Sequence, residues 1–575
     1  MALYQPADLH RFGAQYCRCM SAEATQGGEQ VRGAELVAAL CLATDLGMGF
    51  PFEHGLHSTL IAMRLADRLG VDRDCLAQTY YACLLSHSGC TTDAHVTPEV
   101  YGDSLTTHFH PVMRGSGREI LAGLLRALPD RELAGPRRAA QIVRRFPKMA
   151  REMRPHLTAT CEVAGMLSEG LGLSGSVQGL LAYLFERWDG HGPLGRAKGD
   201  QIPLPMRIVH LSVDAALQRL LGGEERVVRL VRERAGHAFD PEVAACLADH
   251  AGEILALDEH ASVWDETLSC EPDPRLFLEG EALDRGLAAM GNFADLMSPY
   301  LAGHSTGVAE LAAAAAQGCR IDEAGVVQLR HAALVHDVGR VAVHPRIWQK
   351  RGPLNADEWE QVRLHAYHSE RVLAPSESLA TLAAVAGAHH ERLDGSGYHR
   401  GTAGADLGVP ARLLAAADAY HAMTEPRPHR ERIPPGRAAE ILGEEASAGR
   451  LDVDAVTAVV ESAGQRAPRI ERPAGLTERE AEIIGLLARG LQTKQVASAL
   501  RISVKTADRH IQNAYRKMGV STRAAATLFA MEHGLLAWGE LPIARPARRA
   551  QSTARLDNRG SHSHAGRTRL GPDAR

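Results

Sequence analysis

The chain has 575 residues, a net charge of −5, 45 % hydrophobic residues and only 5 % aromatic ones. That length allows three or four domains with ordinary cores. The mild acidity gives no general drive toward nucleic acid or anionic membrane, so any such binding must come from a local patch. No run of about 18 apolar residues marks a membrane span. The start, MALYQPADLHRFGAQ, lacks the basic and apolar segments of a signal peptide. The ten cysteines form no CxxC pair, which favours scattered reduced thiols. A cytoplasmic protein with no membrane partner is expected.

The Ala-rich, aromatic-poor composition favours helices, and an all-α fold is expected throughout. Residues 1–270 read as one helical domain. Residues 271–289, opening with Glu271-Pro-Asp-Pro274, read as a linker. A second helical domain spans 290–463. GQRAPRIERPAG supplies a further linker over 464–474, and a third domain runs over 475–538. Residues 539–575, rich in Arg, Ser and Gly, have little to bury and read as a disordered basic tail.

The first two domains repeat one another. GLHSTLIAMRLADRLG (55–70) recurs as GHSTGVAELA (303–312), and ACLLSHSGC (82–90) as AALVHDVGR (332–340). LFERWDGHG (184–192) recurs as HHERLDGSG (389–397), and LPMRIVHLSVDA (204–215) as VPARLLAAADA (409–419). The order is kept, and the first copy carries roughly 40 extra residues in its middle. Tandem related helical domains followed by a different module are therefore expected.

The second copy concentrates metal-ligating side chains. His304 follows a glycine near a helix start. His336-Asp337 ends an apolar helical stretch, His365 lies in another helix, EWEQVRLHAYHSERVL, His389-His390 closes a short apolar helix, and Asp418 ends LLAAADAY. A lone histidine on an apolar face is usually a satisfied core residue. An aspartate embedded in ALVHDV is different, because burying it costs several kcal/mol unless it is paired or bound to a cation. Imidazoles with carboxylates suit Fe or Mn as well as Zn. A carboxylate bridging two such ions is one way to activate water toward a phosphodiester.

With SPYLAGHS (298–305), HDVGR (336–340), His365, HHERLDGSGY (389–398) and DAYHAMTEPRPHR (418–430) in order, the second copy resembles the HD-GYP subfamily of HD-domain phosphohydrolases. The resemblance implies hydrolysis of cyclic di-GMP or a related nucleotide. It implies that His304, His336, Asp337 and Asp418 hold one ion. Asp337 would bridge to a second, held with His365, His389 and His390. Asp337 and Arg340 take catalytic positions. Arg340, Gly395, Gly397, Tyr398, Arg427 and Arg430 take substrate-binding ones. The cofactors implied are two divalent ions, Fe or Mn favoured, with Zn and Mg as alternatives. Arg340 replaces the subfamily's lysine, His399 its GYP proline, and Tyr300 the carboxylate that in some members holds a third metal. In the first copy Ser86-His87 and Leu184-Phe185 stand at the paired ligand positions. His57 and His156 are retained, and Asp214 is one position out. That copy is expected to have lost catalysis and to serve as a packing partner, or else as a nucleotide sensor.

From 474 to 536, Thr477 and Glu480 form a T-x-x-E capping box ahead of a helix with Ile483, Ile484 and Leu487 inward. KQVASAL is expected to turn Val496, Ala499 and Leu500 inward. After a turn at Arg501-Ile502, Ser503 caps a helix with Val504, Ile511, Ala514 and Met518 inward and Lys505, Arg509, Gln512 and Arg516 outward. Three of the chain's six lysines (494, 505 and 517) fall here. Two short helices about a tight turn, the second basic, form a helix-turn-helix. The region resembles the LuxR/GerE-type DNA-binding domain, which implies DNA contact through Lys494, Lys505, Thr506, Arg509, His510, Gln512, Asn513 and Arg516, as a homodimer. Asp508 among them would repel phosphate. The expected protein is a cyclic-dinucleotide phosphodiesterase with a transcriptional output. Its alternatives are a non-catalytic nucleotide sensor and a hydrolase of another phosphate ester.

Overall fold

The computed structural model describes residues 30–91, 108–130, 133–256, 261–319, 321–466, 473–532 and 535. The tail at 539–575 and most of the 464–474 linker lie outside them. The described chain is helical, with one two-stranded antiparallel sheet that pairs Val31–Arg32 with Phe277–Leu278.

In the first copy, α1 (Gly33–Met48) packs on α2 (His54–Arg68) and α3 (Arg73–Leu84), and those two pack against the long α4 (Leu204–Arg234). Asp72 starts α3 by accepting from the Cys75 amide at 2.8 Å. In the second copy, α5 (Gly280–Asp295) leads to α6 (His304–Gly318) and α7 (Glu323–Val335), which pack tightly together. α6 buries Val308, Ala309, Ala312, Ala315 and Ala316, and the small alanines let neighbouring helices approach closely. α8 (His365–Leu373), α9 (Ala380–Ala386), α10 (Val409–Thr424) and α11 (Val453–Ser462) complete the bundle. α6 lies against both α10 and α11.

One hydrophobic core runs through both copies. α1 packs on the 3-10 turn Val338–Ala342 and on α8, both in the second copy. The Arg371 guanidinium lies 4.0 Å from the centroid of the Phe52 ring. Residues 271–289, read as a linker, hold strand Phe277–Leu278 and the first turns of α5. Apolar residues such as Leu278, Leu283 and Leu287 draw that stretch into the shared core.

The internal repeat recurs as hydrogen bonding. Arg412 and Arg207 donate through Nε to the carbonyls of Leu407 and Ile202, at 2.7 and 2.6 Å. Glu391 and Glu186 accept from the amides of Arg400 and Arg196. The structure shifts one correspondence. Asp295 caps the Ser305 amide at 2.9 Å and Asp45 caps the Gly55 amide at 3.0 Å. Both helices are entered through a left-handed residue, Gly303 or Glu53. His304 therefore matches His54, and the shared His-Ser-Thr triplet that pointed to His57 is out of register by three residues.

The C-terminal module has its own core, around Ile483, Ile484, Val496, Ile511, Ala514 and Met518. Its helices are α12 (Glu478–Ala488), α13 (Thr493–Ala499), α14 (Val504–Met518) and α15 (Arg523–Glu532). The Thr477–Glu480 capping box forms. Two inward assignments change. On α13 it is Ala497 that is buried while Ala499 faces out, and Val504 is 49 % exposed at the start of α14.

Candidate metal centre

The ligand residues come from five separate elements and meet in the interior. His304 is the first residue of α6, and His336-Asp337 follows the last turn of α7. The expected single helix around His365 is two helices, Ala356–Arg363 and α8, and His365 opens the second. His389-His390 follows α9, and Asp418 lies inside α10 rather than at its end. Gly339 explains how the His-Asp turn fits so closely. A Cβ there would meet the Ser369 amide nitrogen at 2.2 Å and the His365 carbonyl oxygen at 2.3 Å.

Two ligand groups form around one carboxylate. His304, His336, Asp337 and Asp418 each offer an atom within 4.8 Å of the others, as do His365, His389 and His390. Asp337, fully buried, faces both groups. Its Oδ2 lies 3.0 Å from His336 Nε2 and 3.5 Å from His304 Nε2. Its Oδ1 lies 3.2 Å from His365 Nε2 and 3.4 Å from His389 Nε2. Asp418 Oδ1 lies 3.2 Å from His304 Nε2, and its Oδ2 is 3.9 Å from His390 Nδ1.

The histidines are oriented from behind. Nδ1 of His336 and of His389 donates to the carbonyls of Ala333 and Ala386, at 2.7 and 2.6 Å, and Nδ1 of His365 donates to that of Val362. This leaves each Nε2 lone pair aimed at the cluster, the tautomer a metal ligand needs. His336 Nε2, both Asp337 oxygens and Asp418 Oδ1 are buried without a hydrogen bond of good geometry, although ionic neighbours lie within 4 Å. Orphaned buried lone pairs are costly, and divalent cations would satisfy all of them. The donor set thus fits such ions.

Without a cation, protons take that place. Burial and Arg340 push His304 down, but hydrogen bonds to Asp337, Asp418 and Glu425 outweigh them and raise it to about 10. Burial also opposes charge on His336, yet Asp337 raises it to about 9. Burial opposes charge on Asp337 and Asp418 too. Arg340 and His336 hold Asp337 well below the carboxylate range, and His304 and His336 do the same for Asp418. Burial lowers His389, and lowers His390 well below the usual imidazole value.

A cavity of about 500 Å³ opens beside the cluster, lined by His365, His390 and Asp418 and by Arg340, Tyr398, Arg427 and Arg430. Trp348 and Trp359 add aromatic walls. Arg340 points Nη2 at Asp337 Oδ2, 2.5 Å away, while its Nε and Nη1 have no partner. Arg427 donates to the Tyr300 carbonyl at 2.9 Å and to Glu425 at 2.8 Å. Arg430 lines the cavity while also binding the backbone. Its donors go to the carbonyls of Ala422, Met423, Glu425 and Glu431, which ties down the turn after α10. Gly395 (φ 72°) and Gly397 shape the loop without lining the cavity; a Cβ on Gly397 would meet Glu391 Cα at 2.5 Å. Sequence reasoning missed Glu425, which contacts His304, His421 and Arg427. Its only sequence signal is its place seven residues, about two turns, after Asp418.

The matching region of the first copy holds no such set among the described residues. Asp214 pairs with Arg234 at 2.8 Å. Buried Arg114 donates to the carbonyls of Leu184 and Glu186, which match His389 and Glu391. A guanidinium therefore lies where the second copy gathers ligands. Phe50, His54, His87 and His110 form an aromatic group nearby.

On the helix-turn-helix, Lys494, Lys505, Arg509, Gln512 and Arg516 are exposed, and His510 and Asn513 are half-buried. Thr506 bonds the capping Ser503 hydroxyl, and Arg516 donates to Asn513. Lys517 is withdrawn from the basic face by Glu480 at 2.6 Å.

Residues 289–455 match the HD domain family, and residues 474–530 match the luxR family of bacterial regulatory proteins. The chain is 29 % identical over 429 residues to 3'3'-cGAMP-specific phosphodiesterase 3 of Vibrio cholerae serotype O1, covering 72 % of this chain and 90 % of that one. It is 34 % identical over 133 residues to a cyclic di-GMP phosphodiesterase of Thermotoga maritima, covering 23 % and 36 %. A crystal structure of a cyclic GMP-AMP-specific phosphodiesterase of V. cholerae superposes with TM-score 0.52 at 25 % identity, covering 76 % of this chain and 98 % of that one.

Proposed function

For a chain that carries an HD domain followed by a luxR-family DNA-binding domain, we propose a cyclic-dinucleotide phosphodiesterase joined to a transcriptional output. The observation that carries this reading is Asp337, which faces two ligand groups beside a cavity with basic and aromatic walls. The relatives named above act on cyclic GMP-AMP and cyclic di-GMP, and those are the substrates proposed. Two divalent ions, Fe or Mn favoured, would supply Lewis acidity at the phosphodiester. His304, His336 and Asp418 would hold one, His365, His389 and His390 the other, with Asp337 between them.

The remaining roles belong to the chain's own side chains. Arg340 has two unpartnered donors for phosphate oxygens, in the fork geometry that suits them. Tyr398, its ring 4.7 Å from that of His390 and tilted to it by 32°, and Trp359 offer flat surfaces for bases. The DNA-binding module would act as a homodimer in the cytoplasm, through the exposed faces of α13 and α14. We place the first repeat up to about residue 270, the metal-binding repeat at 290–463 and the DNA-binding domain at 475–538.

A second reading, nucleotide sensing without turnover, is favoured by one feature: the Arg340 guanidinium lies 2.5 Å from Asp337, within the ligand set. Chromatography of products separates the two. The wild-type chain, purified anaerobically and given Mn or Fe, is expected to open cyclic GMP-AMP or cyclic di-GMP, and Asp337→Ala is not. Binding of either nucleotide without any product would leave the sensor reading.

A further inference from the structure

His304 differs from the other buried ligand histidines in what holds it from behind. His336, His365 and His389 each place Nδ1 on a backbone carbonyl three residues upstream. His304 begins its helix after the left-handed Gly303, and its Nδ1 instead meets Glu425 Oε2 at 2.9 Å. Glu425 comes from the turn after α10 and is itself fixed from two further sides. Arg427 Nη2 reaches the same oxygen at 2.8 Å, and His421 Nδ1 lies 3.3 Å from Oε1.

On the metal reading of the site given above, we infer that Glu425 is a positioning residue: it accepts the Nδ1–H of His304 and so turns the Nε2 lone pair toward Asp337 and Asp418. Carboxylate–imidazole–metal relays fix both tautomer and ring orientation. The Nε2 side agrees, at 3.2 Å from Asp418 Oδ1 and 3.5 Å from Asp337 Oδ2. Arg427 then acts through Glu425 by holding the carboxylate in place. His304, His421 and Glu425 lie close enough together to hold a cation themselves, but two features oppose that use. The Arg427 guanidinium already sits on the carboxylate. His304 would also have to give up both ring protons to face an ion on each side.

Manganese binding to the full-length metal-free chain, followed by calorimetry and by ion content after desalting, tests the inference without reference to turnover. Glu425→Ala is expected to weaken one of two sites by about ten- to a hundred-fold. It should leave the His365/His389/His390 site unchanged. Glu425→Gln keeps an amide oxygen that accepts the Nδ1–H, and should restore most of the affinity. The inference is overturned if Glu425→Ala binds two ions as tightly as wild type, or loses both sites together. It is also overturned if Glu425→Gln falls as far as alanine, or if wild type binds a third ion that the alanine variant lacks. A wild-type chain that binds Mn but hydrolyses nothing would sink the phosphodiesterase proposal and leave this one standing. A wild-type chain that binds no Mn would sink both.

Discussion

At the scale of single residues, the site was legible where the sequence sets charge against burial. Asp337 in ALVHDV is the clearest case, since a fully buried carboxylate flanked by apolar residues needs a cation or a charged partner. The imidazoles became legible as a set for the same reason. The arginines did not. Arg430 resembles a phosphate ligand in sequence, and in the structure it lines the cavity while its Nη1 and Nη2 also hold four carbonyls of one turn. Where a guanidinium's donors go depends on backbone geometry that no local pattern records. Glu425 was hidden for a related reason, because its partner His304 is 121 residues away. Arg340 is the arginine with donors to spare. Arg340→Ala is expected to keep both metal ions and to lower kcat by about a hundred-fold, as loss of a preorganised charge at a phosphoryl group does. Steady-state kinetics with ion analysis checks this; unchanged kcat would remove Arg340 from the reaction.

At the scale of elements, helices and caps followed from periodicity and capping residues, but register and breaks did not. The 358–373 stretch reads as one helix and is two, because the chain turns to bring the His365 ring inward. His57 was favoured by a shared triplet, whereas the capping aspartates select His54. That histidine gives the first copy a pH dependence. Burial, with His57 and His110 adding to it, lowers His54 to about 4, and burial also lowers His87 to about 3 and His110 to about 4. A depressed histidine contributes stability that is present above its unfolded value of about 6.5 and lost as pH falls toward the folded value. For His54 the loss at pH 5.5 is about 1 kcal/mol. Urea unfolding should therefore show a smaller drop between pH 7.5 and 5.5 in His54→Leu than in wild type, and equal drops would contradict the assignment. On α14, Arg509→Ala is expected to weaken DNA binding across sequences and to lower the magnitude of the salt slope by about 1, as loss of one phosphate contact does. A change confined to one base position would instead make Arg509 a base reader.

At the scale of the whole molecule, the tandem arrangement was visible as a repeat, but the sharing of one core between the copies was not. α1 of the first copy covers the turn that follows His336-Asp337 and also touches α8. Residues 271–289 join that core instead of separating two bodies. The first copy thus serves as a wall for the second. Expressing residues 280–466 alone should expose that apolar seam and give aggregated protein, in contrast to the full chain. A monodisperse, metal-binding fragment on gel filtration would show the first copy to be dispensable for folding.

The central claim is that Asp337 joins two metal ions into one hydrolytic site. The most direct measurement titrates Mn or Fe into the anaerobic metal-free chain while following cyclic-dinucleotide hydrolysis and bound ions in the same samples. The account predicts that turnover appears as the second equivalent binds, and that Asp337→Ala shows neither the second ion nor product. Full turnover with one ion, or two tightly held ions with no hydrolysis of any cyclic dinucleotide, would contradict it.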